Sequence, residues 1–195
     1  MRKSTITRKT LETDITLSLC LDGGEGGAID TGIGFLDHML TLFSRHGRFA
    51  LSVTCKGDLH VDAHHTVEDV GLCLGMAFDN ALGERRGITR YGEATVPMDE
   101  ALIQCVVDVS GRSHLAYGLL LDVPFLGTMD ASLVEEFLLA FTRRAGLTLH
   151  VRQLAGKNAH HIVEGCFKAL ARALRAAVAI DPNFAGEIPS TKGVL

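Results

Sequence analysis

His64-His65-Thr66-Val67-Glu68 recurs as His160-His161-Ile162-Val163-Glu164, and the two copies hold four of the chain's nine histidines. A motif repeated about half a chain length apart implies two halves built on one plan. On a helix, residues i and i+3 or i+4 share a face, so Glu68 can meet His64 or His65, and Glu164 can meet His160 or His161. Adjacent helical positions diverge by about 100° at ~3.6 residues per turn, so one His-His pair cannot easily chelate a single ion. Each pair therefore serves two ions. A lone His-His pair is usually a solvated or capping feature. The second copy, with its carboxylate at the same offset and a polar lead-in (Asp62-Ala63, Asn158-Ala159), points instead to a duplicated two-metal site.

Outward from the motifs, the first half opens on the alternating segment Glu12 to Leu19, whose period of two predicts a strand. The Gly-rich turn Asp22–Gly27 follows. Gly34 to Phe43 has helical spacing and stops at Arg45-His46-Gly47, where Gly suits the position after a helix end. Phe49–Cys55 predicts a strand and His64 to about Leu82 a helix. The second half repeats the order. Glu100–Asp108 is a strand, Ser110-Gly111 its turn, Ala116–Leu121 the returning strand, Leu133 to Gly146 a helix, Leu147–Val151 a strand, and Asn158 to about Ala179 the last helix. The fold class expected is α+β: two half-domains, residues 1–92 and 93–195, each an antiparallel-type sheet with helices on one face. A pseudo-twofold would bring equivalent helices together. One half alone has a thin core, so both should fold as a unit, with 181–195 as an irregular tail.

Composition excludes several classes. With 47% hydrophobic residues, a net charge of -4, no Trp and no basic run, the chain reads as globular, without the footprint of a nucleic-acid binder. No segment approaches the ~18 uninterrupted apolar residues of a membrane span, and the polar N-terminus has no signal-peptide core, so a cytoplasmic location is expected. Five widely spaced cysteines without a Cys-x-x-Cys pattern read as reduced core thiols.

Further ligands are available. His38 stands on the first helix ahead of His64 as Glu136 stands on its counterpart ahead of His160, and both could complete the shells. Imidazoles and carboxylates without thiolate favour Mn, Fe or Zn. Arg90, Arg112, Lys168 and Lys192, near element ends and in the tail, could clamp a phosphate. His46 either compensates a helix dipole or touches a ligand. His60, His114 and His150 fit structural roles better.

Arg8-Lys9-Thr10-Leu11-Glu12-Thr13, Thr31 through Leu40, His46-Gly47, Asp62 through Asp69, Asn158 through His161, Glu164 through Ala169 and Pro189 through Gly193 together resemble the imidazoleglycerol-phosphate dehydratase family, over nearly the whole chain. The resemblance implies a lyase of histidine biosynthesis that converts D-erythro-imidazole-glycerol phosphate into imidazole-acetol phosphate and water. It implies a duplicated fold of the ribosomal-protein-S5-domain-2 type, two Mn(II) per active site, and a homo-oligomeric shell of twenty-four subunits with sites between neighbours. By motif, the metal ligands are His38, His64, His65, Glu68, His160, His161 and Glu164, with Glu136 where many members carry His. Arg90, Arg112, Ser190, Thr191 and Lys192 correspond to phosphate and substrate contacts, and His46 and Lys168 lie in substrate-binding segments.

The chemistry accounts for such a site. The substrate's C2 hydrogen is not acidic and its C3 hydroxyl leaves poorly, so the imidazole must supply electrons. An imidazolate held between two metals could expel the hydroxyl as a diazafulvene-like species, after which C2 becomes acidic. The resemblance assigns the base to Glu12. A dinuclear hydrolase would need an open, water-bearing metal edge and no imidazole in its substrate, and a metal-storing scaffold would need neither a free carboxylate nor a phosphate clamp; Glu12 and Lys192 favour the dehydratase over both.

Overall fold

Strict alternation sets the two central strands. Ile15, Leu17 and Leu19 point inward from β2 (Thr13–Cys20), as Ile103, Cys105 and Val107 do from β6 (Ala101–Asp108), and all six are buried. The computed structural model describes all 195 residues. In the first half the remaining elements are β1 (Lys3–Lys9), β3 (Ile29–Asp30), α1 (Gly34–Gly47), β4 (Ala50–Gly57) and α2 (His64–Leu82). In the second they are β5 (Tyr91–Met98), β7 (His114–Gly118), the small hairpin β8 (Phe125–Leu126) and β9 (Met129–Asp130), α3 (Leu133–Ala145), β10 (Thr148–Ala155) and α4 (Ala159–Ala177).

The halves share one topology, β1-β2-β4-β3 and β5-β6-β10-β7. Registers match as well: Arg8 lies opposite Ile15 as Val96 lies opposite Ile103. Glu12, one residue ahead of β2, therefore corresponds to Glu100, one residue ahead of β6. Both sheets are mainly antiparallel, with one parallel pair at the edge, β3 on β4 and β7 on β10. Ala116–Leu121 was expected as the return of a hairpin. Instead β7 crosses to the far side of β10. The edge strands β1 and β5 escape the sequence pattern because each shows only one half-buried face and β5 contains Pro97, which edge strands tolerate. The change from one sheet to the other falls in residues 83–90, between α2 and β5.

Helix packing corrects the expected symmetry. Equivalent helices do not form the main pairs. The pairs are α1 with α4 and α2 with α3, while α2 covers β1 and β2 and α4 covers β5 and β6. Each half thus lays a helix on the other, and one continuous core of 52 buried residues results. The α2–α3 crossing is close because α2 presents Gly71 and Gly75. A Cβ at Gly71 would stand 2.8 Å from the Phe137 carbonyl oxygen, and one at Gly75 2.6 Å from that of Phe141.

The two helix stops differ in detail. Gly146 takes the left-handed cap of α3 at φ 61, as expected, but at α1 that conformation falls on Arg48 at φ 53, and Gly47 remains in the helix. The Phe49 ring leaves no room for a Cβ at Gly47. Four of the five cysteines are buried and all are free. Burial, first among the causes, raises the Cys55 and Cys73 thiols to about 11. No helix is long and apolar enough to cross a membrane.

Candidate active site

The second histidine pair enters α4 through a cap. The Asn158 side-chain oxygen accepts the backbone N–H groups of His160 at 2.9 Å and His161 at 3.4 Å, so both imidazoles leave from the first turn. One turn on, Glu164 brings Oε2 to 3.3 Å from His160 Nε2. His38, carried across by the packing of α1 on α4, reaches the same oxygen at 3.2 Å. Ligand atoms of His38, His160 and Glu164 lie within 4.8 Å of one another. Burial alone would raise the Glu164 carboxyl, but hydrogen bonds from Lys168 (2.5 Å), His38 and His160 outweigh it and hold the group below the usual carboxylate range. It is anionic, as a ligand must be.

His161 faces away from its neighbour, with the two rings at 89°. Its Nδ1 donates to Glu100 Oε2 at 2.7 Å, because a carboxylate can only accept. Glu100 Oε1 in turn accepts the backbone N–H groups of Asn158 at 2.8 Å and Lys157 at 3.2 Å. The His161 hydrogen bond, then these backbone bonds, hold the Glu100 carboxyl at about 2, and the same contact raises His161.

The first pair repeats the plan with substitutions. Asp62 accepts the His64 backbone N–H at 2.7 Å, and Glu68 stands one turn below His64 with Oε2 3.8 Å from Nε2. His65 Nδ1 donates to Asp58 at 2.9 Å, which raises its pKa, and its Nε2 lies 3.7 Å from Glu12 Oε1. The left-handed caps Arg48 and Gly146 align α1 with α3 and put Glu136 where α1 carries His38. Glu136 is half-buried beside α2, and no hydrogen bond or ion pair joins it to His64 or Glu68. Nor does any such contact, or a ring contact, link one His-His pair to the other. The chain presents two separate histidine–carboxylate clusters.

Glu12 lies in the tight turn between β1 and β2, and not on the strand itself as expected. That turn is braced from below: buried Asp69 accepts the Thr13 hydroxyl at 2.6 Å and pairs with Arg8. The Glu12 carbonyl accepts the Asp58 N–H at 3.0 Å, while its side chain stays half-exposed and accepts no hydrogen bond.

The expected phosphate contacts are spread. Arg90 is committed to Asp108 at 2.8 and 3.2 Å and donates to the Pro189 carbonyl at 2.8 Å, which ties the tail down beneath Ser190. Arg112, Thr191 and Lys192 are exposed, and neither cation has a carboxylate partner. Lys168 is bound to Glu164. His46 is half-buried, and burial, then the charges of Lys168 and Arg172, lower its pKa. A cavity of about 450 Å³ adjoins His64, lined by Gly32, Ile33, Leu59, Phe125 and Leu133 among others. A cavity of about 830 Å³ beside the Gly-rich turn contains neither histidine pair. Asp58 and Glu100 escaped the sequence reading. Only the strand equivalence of Glu12 with Glu100 could have signalled the latter.

These donors fit a metal. Imidazole and carboxylate suit Mn, Fe or Zn, and a carboxylate on Nδ1 of His65 and His161 selects the tautomer whose Nε2 lone pair faces outward.

The family model for imidazoleglycerol-phosphate dehydratase matches residues 31–174. The imidazoleglycerol-phosphate dehydratases of Xanthobacter autotrophicus and Azorhizobium caulinodans are each 58% identical over 100% of this chain and 99% of their own. Among solved structures, the Staphylococcus aureus dehydratase superposes with a TM-score of 0.84 at 37% identity, over 92% of this chain and 99% of that one. The Pyrococcus furiosus enzyme, in complex with (S)-C348, gives 0.83 at 37% identity over 97% and 100%. The chain belongs to the imidazoleglycerol-phosphate dehydratase family, lyases of histidine biosynthesis.

Proposed function

We propose that the chain converts D-erythro-imidazole-glycerol phosphate into imidazole-acetol phosphate at a site holding two Mn(II), assembled from the half-sites of different copies. The observation that carries this reading is the pair of incomplete, outward-facing ligand sets in one chain. His38, His160 and Glu164 converge on one point, His161 turns to Glu100, and His64 with Glu68 and His65 with Asp58 form a separate cluster at the start of α2. A closed homo-oligomer, with twenty-four subunits as the family resemblance implies, lets each set complete another. Membership of a soluble biosynthetic family supports a cytoplasmic location.

His38, His64, His65, Glu68, Glu136, His160, His161 and Glu164 would hold the two Mn(II) ions, which when bound would supply Lewis-acid polarisation of the substrate's imidazole, the electron source the reaction lacks. The chain's own residues supply the rest. Glu12 stands 3.7 Å from His65 Nε2, accepts no hydrogen bond and is not among the ligands, so it is free to take the C2 proton once the C3 hydroxyl departs. Arg112, Ser190, Thr191 and Lys192 hold the phosphate, and Arg90 braces the tail that presents three of them. His46 and Lys168 border the α4 half-site.

Incubation of the purified protein with imidazole-glycerol phosphate, alongside elemental analysis, tests this. Imidazole-acetol phosphate should form in protein containing two Mn per chain. Full turnover with one metal or none, or release of inorganic phosphate in its place, would overturn it.

A further inference from the structure

We propose that Glu100 is a positioning residue that holds His161 in the metal-binding tautomer, doing in the second half what Asp58 does in the first. Glu12 and Glu100 occupy equivalent places, each in the turn before a central strand and each beside the second histidine of a pair. Their surroundings then separate them. In the first half the link from β4 to α2 runs from Asp58 to Ala63. In the second, the link from β10 to α4 is only Gly156 to Asn158. The longer link supplies Asp58, whose backbone N–H donates to the Glu12 carbonyl and whose side chain takes His65 Nδ1 at 2.9 Å. Glu12 is thereby left free.

The shorter link has no such acid. It runs so close to β6 that a Cβ at Gly156 (φ +127) would stand 2.8 Å from that of Ala101, the residue after Glu100. At this distance the N–H groups of Lys157 and Asn158 reach Glu100 Oε1 and fix the carboxylate, leaving Oε2 to accept His161 Nδ1–H at 2.7 Å. The duplicated acid has two fates. At position 12 it is available for proton transfer, and at position 100 it is locked as the orienting group of a ligand, a role whose loss typically weakens metal binding.

Glu100→Gln separates orientation from capping. The glutamine oxygen still accepts the two backbone N–H groups, but its amide NH₂ then faces His161 Nδ1 and donates to it, which shifts the ring proton to Nε2 and blocks ligation. Full-length protein, stripped of metal and titrated with Mn(II) at fixed protein concentration, is followed by the EPR signal of free Mn(II). Glu100→Gln should bind Mn(II) about 10- to 100-fold more weakly than the parent, with an unchanged Tm for the metal-free protein. Glu12→Gln should bind Mn(II) as the parent does. Parental affinity in Glu100→Gln, or a loss matched by a lower metal-free Tm, would overturn the proposal. Because it rests on the two-metal reading, His161→Gln is the control. Parental Mn(II) affinity in His161→Gln would overturn that reading and this proposal together, a result distinct from failure of Glu100→Gln alone.

Discussion

Glu12 and Lys192 act at different moments of the proposed reaction, and their variants should separate accordingly. Glu12→Gln preserves shape but cannot accept a proton. It should retain metal, assembly and KM while kcat falls about 10²–10⁴-fold, the usual contribution of a general base. Lys192→Ala removes a phosphate contact made equally in ground and transition states, so it should mainly raise KM. Steady-state kinetics of the two variants, with metal content, check the contrast. His46 carries a pH dependence of its own. Burial and then the nearby cations Lys168 and Arg172 lower its folded pKa, so below the ordinary histidine value of ~6.5 the unfolded chain binds the proton more readily. Stability should decline as pH falls through that value. In metal-free protein, the drop in Tm between about pH 7.5 and 5.5 should be smaller in His46→Gln than in the parent. Equal drops would show that His46 does not contribute.

At the scale of elements, the α2–α3 crossing seats the helix that carries His64, His65 and Glu68. Gly75 permits an approach that a methyl group would block, with the Phe141 carbonyl only 2.6 Å from a built Cβ. Gly75→Ala must push the helices apart and should cost about 1–3 kcal/mol. At about 2–4 °C per kcal/mol for a chain of this size, differential scanning calorimetry resolves the change. A Tm equal to the parent's would mean that the crossing relaxes freely.

For the whole molecule, interlocked helices join the two topological repeats through one continuous core, since α1 rests on α4 and α3 on α2. The two His-His-x-x-Glu clusters, by contrast, stay apart within the chain. If they are completed by other copies, metal binding and assembly share their free energy. Complete chelation should then convert the native particle into smaller species in sedimentation velocity, and added Mn(II) should restore it. An unchanged particle after metal removal would refute the coupling.

The duplication, the α+β class, the four helices and the convergence of His160 with Glu164 one turn on were legible in the sequence, because periodicity, helix stops and the repeated His-His-x-x-Glu pattern are local. Gly146 as a cap and Asn158 ahead of the second pair belong to the same kind of information. Tertiary structure decided what depends on residues distant in the chain. It paired α1 with α4 and not with α3, moved the left-handed cap from Gly47 to Arg48, laid β7 parallel to β10, and bound Arg90 to Asp108 and the tail. It also gave equivalent acids different neighbours. A link shorter in one half than in the other locked Glu100 onto His161 and freed Glu12, a distinction set by loop closure and not by residue type.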